Sequence, residues 1–516
     1  MEISSFWSLA AINTAAILLL SLLVYTKLRK DAATNPGRPW NLRSCKILPR
    51  GSLGIWPFIG ETLHFIASAY SDRPEAFMDK RRRLYGNVFR SHLFGNPTIV
   101  STDAEVSRMI LQSDPNSFVP SYPKSLMELM GKSSILLVNG ARQRRIHGLI
   151  GGFLRSAGFK VQVTADMEKC VLAAMADWGE DRPVYIQDEA RKIAFQVLVK
   201  ALISLDGGDA KMEVLKKHFQ KFIAGLMSLP LKFPGTQLYR SLQAKKKMIE
   251  VIDEIIEAKR KRICRMDENN NKNNMYGNGA AKDVAEALMM NEDLTDDAIA
   301  ENLIDLMIPG EDSVPLLITL SLKYLSESPA ALHLLTEENV SMRRVKEKKG
   351  EPFSWNDYLS LPFTQNVITE TLRMGNIIIG VMRKAMKDVE IRKGNAHYLI
   401  PKGWCVLAYF RSVHLDHHLY DFPYHFNPWR WQHQQNNKEM VMSKFTPFGG
   451  GQRLCPGHEL SRLEASIFLH HFVNRFARWE AEEDSIINFP TVRMKRRLPV
   501  WVKKATSDQF NIFKIN

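Results

Sequence analysis

Cysteine is scarce and unpaired in this 516-residue sequence. Its five cysteines, Cys45, Cys170, Cys264, Cys405 and Cys455, are odd in number, irregularly spaced and free of any CxxC. That excludes a disulfide framework and suits a reducing compartment. No zinc-finger, aromatic-ribbon or basic-leucine pattern accompanies the formal net charge of +15. Nucleic acid is therefore set aside as the partner of the positive excess, in favour of an acidic protein or acidic lipid surface. A Rossmann glycine fingerprint and a flavin site are both lacking, so the chain has no legible place for a soluble reductant. Internal repeats are absent too, and the body reads as one large domain although its length alone would allow several. With 45% hydrophobic residues the chain is not generally disordered.

Charge is missing from one long stretch. Phe6 to Tyr25 runs twenty residues without a charged side chain, just enough helix to cross a hydrocarbon core of about 30 Å. Glu2 is the only charge before it, and Lys27, Arg29 and Lys30 follow at once. The positive-inside bias puts the remainder in the cytosol, and a cytosolic body on a membrane anchor points to the endoplasmic reticulum. The expected organisation is an anchor over 1–30, a Pro/Gly hinge over 31–60 and a catalytic body over 61–516. Within the hinge, LPRGSLGIWPFIG (48–60) combines Pro49 and Pro57 with Gly51, Gly54 and Gly60 to hold a non-helical path.

Along the body, residues 85–101 read as two strands broken at Gly95-Asn96-Pro97, and Ala104 to Leu111 as a short helix. Phe118 to Lys132 is a mixed segment containing Met127 and Met130. Helices are expected over 161–179, 187–203, 211–228 and 236–262. The last carries many lysines and arginines, read as a solvated face. GLMSLPLKFPG (225–235) is apolar and Pro-broken, and should meet the bilayer or line an entrance. ICRMDENNNKNNMYGNGAA (263–281) is low-complexity and reads as a disordered surface loop, and IRKGNAHY (391–398) as a polar hairpin tip. Thr295 with Asp296 and Asp297 starts a long helix to about Tyr324, interrupted by a kink at Pro309-Gly310. Glu370 and Arg373 lie three apart on one helix face, a pairing that by itself carries little.

Only one cysteine sits in a loop built to present it. Residues 448–457 read FGGGQRLCPG, with Arg453 two residues before Cys455 and Gly457 two after. A thiolate ligand to haem iron needs a bare sulfur facing the metal. Glycines let the backbone close on the ring and turn amides towards that sulfur, and an arginine can pair with a propionate.

The spacing of Phe448, Gly451, Arg453, Cys455 and Gly457 resembles the haem-binding signature of the cytochrome P-450 monooxygenases, and the resemblance extends over essentially the whole chain. It implies a mainly α fold with a smaller β region, preceded by the single transmembrane helix, and haem b as cofactor. Arg430 in FNPWRW (426–431) matches a further family segment, so that Glu370, Arg373 and Arg430 would form a lock holding the cysteine loop. The family's Gly-x-acid-alcohol run falls on Gly310, Asp312 and Ser313, with serine in place of the commoner threonine. Chemically, splitting dioxygen needs two delivered protons, and an acid plus a hydroxyl could relay them. The positions of a propionate-binding tryptophan and arginine fall on Gln143 and His147; Arg144 or Arg145 could cover the charge instead, and Arg383 is a second candidate.

Substrate would be lined by Met127, Met130, Gly310, Ile378, Ile379, Val381 and Thr491, an apolar set suited to a lipophilic ligand. Lacking its own reductant site, the chain would take electrons from an acidic NADPH–cytochrome P-450 reductase on the same bilayer. The runs MIPGEDSVP and PFTQNVITETLRMGNIIIGVMRKAMKDVEI, with GWCVLAYFRSVHLD, are similar to the plant brassinosteroid-pathway members, above all the steroid C-23 hydroxylases. Two other readings stay open: C-22 or C-16/C-26 hydroxylation of a sterol, and a haem-thiolate protein that binds a steroid without turnover.

Overall fold

A computed structural model describes residues 48–52, 54, 60–71, 73–269, 281–432, 444–489 and 491–504. The expected membrane anchor and most of the hinge lie outside the described residues. Among those described, no helix is long and apolar enough to cross a membrane.

The main sheet begins with the two expected strands, Val88–Leu93 and Asn96–Ser101, paired antiparallel. The turn sits at Phe94-Gly95, both with positive φ, as a two-residue hairpin connection requires. Asn96 and Pro97 therefore belong to the second strand and not to the break. That strand pairs in parallel with Cys405–Tyr409, which pairs with Gly380–Ala385 and so to Phe118–Pro120 at the far edge. A second sheet joins Val184–Tyr185, Pro499–Lys504 and Phe476–Ala481. The polar segment expected at 391–398 is the hairpin Val389–Lys393/Ala396–Ile400. Lys393 ties it to Asp103, the N-cap of helix Ala104–Gln112.

The rest is helical and organised around Asp296–Ser326, which we call the central helix. Thr295 caps it by accepting from the Ala298 amide at 3.3 Å. It is buried around most of its circumference, as a helix must be when neighbours surround it. Its main partner is helix Ile186–Ile203. The two approach closely at Gly310, where a Cβ would stand 2.8 Å from Leu198 Cδ2. Helices Gln237–Asn269, Pro362–Gly375 (the lock helix) and His458–Arg475 (the proximal helix) pack around the same core.

The central helix, expected to kink at Pro309-Gly310, remains one helical element through Pro309 and Pro315. A proline removes the donor for the carbonyl four residues back, and for Pro315 that carbonyl is Glu311's. Arg191 Nε, from helix Ile186–Ile203, donates to it at 3.1 Å. The basic helix runs on to Asn269 instead of ending near 262, because Arg, Met and Glu in that stretch tolerate helix well; the remainder of the expected loop, 270–280, lies outside the described residues.

Candidate active site

Cys455 lies in the connection into the proximal helix, His458–Arg475, and its amide donates to the Phe448 carbonyl at 3.1 Å. Gly451 has φ +66, and a Cβ there would fall on the Leu111 carbonyl oxygen, so the turn requires glycine. Gln143 and His147, one turn apart on helix Gly140–Leu154, hold the loop from the side. Gln143 Nε2 donates to Gln452 O at 3.2 Å, and His147 Nε2 lies 2.8 Å from Leu454 O. His147 thus serves the loop backbone, and Gln143, which the family comparison of positions treated as a lost contact, is a second loop clamp. Burial pushes the Cys455 thiol up, while the Gly457 amide pulls it back. A buried sulfur so placed carries a negative charge only beside a cation.

A cavity of about 400 Å³ opens over this loop, lined on the loop side by Phe448, Leu454, Cys455 and Gly457. Two guanidiniums face it. Arg453 donates to the carbonyls of Ile135 (3.3 Å) and Val138 and to Asn139 Oδ1 (3.3 Å). Arg383 donates to Met382 O at 3.3 Å and interacts with Tyr122. Among the described residues neither has a carboxylate within ion-pair distance. Burial, then the charge of Arg383, pushes Arg453 down to about 10, and burial lowers Arg383 also. Two like charges out of water in one cavity call for an anion between them. The paired propionates of haem b would supply it and Cys455 would bind the iron, so the residues present fit the cofactor. Arg144 is exposed on the outer face of its helix and does not line the cavity; one residue past Gln143 turns it about 100° away. Its neighbour Arg145 pairs with Asp293 outside the cavity.

The central helix forms the opposite wall with Pro309, Gly310, Ser313, Val314 and Leu317. Ser313 Oγ donates to Pro309 O at 3.0 Å. Asp312 does not line this cavity. Arg191 holds it, 3.6 Å from Oδ1, and reaches Glu311 at 3.5 Å. Burial raises both carboxyls and the Arg191 charge opposes it. Glu311 and Arg191 line a separate cavity of about 580 Å³ that also reaches Asp188, Lys192 and Lys216. Glu311 and the serine therefore face different spaces across one helix, and Asp312 lines neither cavity.

Glu370, Arg373 and Arg430 come together beneath the loop. Arg373 binds Glu370 through two parallel hydrogen bonds of 2.9 and 2.8 Å, and Arg430 Nε reaches the same carboxylate at 3.0 Å. The Asn427 amide and Trp431 Nε1 complete its shell. Arg373 also donates to His414 O and Pro423 O. His414 then bridges onward: Nδ1 donates to Asn376 Oδ1 at 2.9 Å, and Nε2 accepts from the Thr446 amide at 3.2 Å. Thr446 lies two residues before Phe448, so His414 links the lock to the cysteine loop. Nothing in its local sequence announces that role.

Of the residues expected to line substrate, Gly310, Ile378 and Val381 do line the cavity. Met127 is exposed and Met130 fully buried in the core, so neither reaches it. Ile379 packs under the sheet against the cluster of Phe65 and Tyr409, and Thr491 lies at the surface; alternation along the strand-like run separates Ile379 from its neighbours. Asp305 lies in the stretch of the central helix expected beside the cavity and Tyr122 in the mixed segment 118–132, whereas Leu198, Leu202 and Val284, ordinary residues of ordinary helices, were not expected there.

The cytochrome P450 family model matches residues 49–497. The chain is 62% identical over 458 residues to 3-epi-6-deoxocathasterone 23-monooxygenase CYP90D1 of Arabidopsis thaliana, covering 88% of this chain and 89% of that protein. It is 54% identical over 505 residues to cytochrome P450 90D2 of Oryza sativa subsp. japonica, covering 97% and 98%. A second Arabidopsis thaliana 3-epi-6-deoxocathasterone 23-monooxygenase, CYP90C1, is 51% identical over 462 residues, covering 88% and 84%. Among solved structures, retinoic acid bound cyanobacterial CYP120A1 superposes with a TM-score of 0.71 at 21% identity, over 89% of this chain and 100% of that one. It speaks for the fold alone.

Proposed function

The chain belongs to the cytochrome P450 family of haem-thiolate monooxygenases, and from that premise we propose that it hydroxylates a sterol side chain at C-23. The observation that carries the reading is the apolar chamber between the central helix, Ile377–Val381 and the cysteine loop, combined with the identity to two C-23 monooxygenases. Bound haem b supplies oxygen–oxygen cleavage and hydrogen abstraction from carbon, and a thiolate ligand favours the first by donating electron density.

The protein's own residues do the rest. Cys455 would bind the haem iron while the Gly457 amide steadies its sulfur, and Arg383 and Arg453 would neutralise the propionates. Ser313 is the hydroxyl nearest the reacting side in this assignment. Its proton rests on Pro309 O, leaving its lone pairs to accept from water. Glu311, drawn with Asp312 to Arg191, takes protons from the solvent cavity. A water must carry them across the helix, since the two groups face different spaces. Leu198, Leu202, Ile378 and Val381 exclude solvent from the substrate.

In this reading, residues 61–516 act as one domain behind an endoplasmic-reticulum anchor over 1–30 and a hinge over 31–60. Electrons come from an NADPH–cytochrome P450 reductase on the same membrane. The exposed Met227, Leu229, Leu231 and Phe233 support contact between the body and the bilayer.

The test is a reconstituted turnover with a plant reductase, NADPH and C27 to C29 sterols, locating products by mass spectrometry and NMR. A C-23 alcohol is the expected product. An alcohol at C-22, C-16 or C-26 would retain the class and reject the position. Tight steroid binding with no NADPH-dependent product would favour the binding-only reading.

A further inference from the structure

Two buried carboxyls line the chamber, Glu464 on the proximal helix and Asp305 on the central helix. Gln143 and His147 hold the cysteine loop, Arg383 and Arg453 meet the propionates, and Ser313 and Ser461 bond to backbone carbonyls. Asp305 also lines the chamber, yet neither of its carboxyl oxygens has a hydrogen-bond partner among the described residues. It is 4% exposed, among apolar lining residues that include Leu202, Val284 and Leu306. Ser134 stands close enough to influence it without the alignment of a hydrogen bond. Its neighbours are spoken for: Asn302 binds Ile135 N and Ser133 O, and Glu301 pairs with Lys245.

An orphaned buried carboxyl costs stability, and a leucine would fit such surroundings better. What would repay it is a ligand hydroxyl. Eight residues separate Asp305 from Ser313, ~12 Å along the helix. A group meeting Asp305 is therefore remote from the carbon being oxidised, at a distance comparable to the length of a fused steroid nucleus. Resting on the sterol reading above, we infer that Asp305 is the specificity residue that receives the ring hydroxyl, at position 3, of the substrate. Burial holds its carboxyl up to about 8, so at neutral pH it is mostly the protonated acid. In that form it donates to the hydroxyl oxygen and accepts the hydroxyl proton through its carbonyl, and no charge is buried on binding.

The test is equilibrium dialysis of the full-length holoprotein in lipid nanodiscs with radiolabelled 3-epi-6-deoxocathasterone and its 3-deoxy counterpart. The wild type should prefer the hydroxylated sterol about tenfold, as one buried hydrogen bond of ~1.4 kcal/mol implies. Asp305→Leu should lose the preference and melt no lower than wild type, whereas Asp305→Asn, which still donates and accepts, should keep most of it. The carbon monoxide difference spectrum checks that each variant retains a thiolate-ligated haem. A correctly ligated Asp305→Leu protein with the full preference would overturn the inference, as would a wild type that binds both sterols equally. A wild type that binds neither would instead reject the sterol reading, and the inference with it.

Discussion

Ser313 shows how much a single hydroxyl is asked to do. It occupies a position where the family commonly has threonine, its proton is committed to Pro309 O at 3.0 Å, and it faces a different cavity from Glu311. Ser313→Ala should leave haem binding intact and raise hydrogen peroxide released per NADPH, at the expense of product. Unchanged coupling between NADPH and product would remove Ser313 from the relay. Arg191 is the complementary case. It neutralises two carboxylates and also donates to the carbonyl that Pro315 orphans, a dual role that the sequence, with the arginine 120 residues away from its targets, gave no means of reading. The glutamate of the lock is the most buried charge in the system, at 0% exposure with Arg373 also at 0%. Removing one partner of such a pair leaves the other charge stranded. Glu370→Gln should cost about 3–5 kcal/mol, seen as a lower melting temperature together with loss of the thiolate-type carbon monoxide spectrum.

Between elements, the important contact is His414, which joins the lock helix to the segment that carries Cys455. Burial, and then the Arg373 charge, lowers its pKa from 6.5 to about 3. The fold thus holds it neutral, with Nε2 free to accept from Thr446. An unfolded chain takes up a proton below 6.5 and the folded one resists until about 3. Stability from this group is therefore complete above 6.5 and is lost as pH falls towards 3. His470 and His471 are lowered by burial in the same direction, so global unfolding alone cannot isolate His414. The discriminating measurement is thiolate ligation against pH. It should fail on the acid side in the wild type, while His414→Gln should weaken ligation at neutral pH and flatten its acid dependence. The central helix makes a related point. Its proline and glycine suggested a kink, and it still runs as one helical element, with Arg191 answering the carbonyl that Pro315 orphans and Gly310 packed close on Leu198. Propensity describes an isolated helix, and tertiary contacts decided this one.

At the scale of the molecule, the +15 charge acts on association and not on the fold. If the electron donor is acidic, reduction of the haem by a plant reductase should slow as ionic strength rises through the range where the Debye length falls below about 10 Å. Stopped-flow reduction at increasing salt measures this, and a rate indifferent to salt would argue against charge-steered docking. The exposed apolar run at 227–233 belongs to the same scale. It lies between helices Ala210–Ile223 and Gln237–Asn269, and Leu229 is 75% exposed, far more than an isolated soluble surface would favour in a cluster.

By itself the sequence determined the family and the haem, and it singled out Cys455 as the candidate ligand, because a thiolate loop and its arginine are short-range chemistry written in ten consecutive residues. It also placed several helices and the first strand pair close to where they lie, since burial on one face repeats at the period of the element. It brought Glu370, Arg373 and Arg430 into one hypothesis only through resemblance, as nothing local links residues so far apart. Only the tertiary structure decided which side chains face the chamber. It turned Met127, Ile379 and Thr491 away, brought in Leu198, Leu202 and Val284, and left Asp305 unpaired among them. The reason is geometric: pattern fixes which face of a helix is buried, but not whether the neighbour across that face is another helix, a cofactor or a substrate.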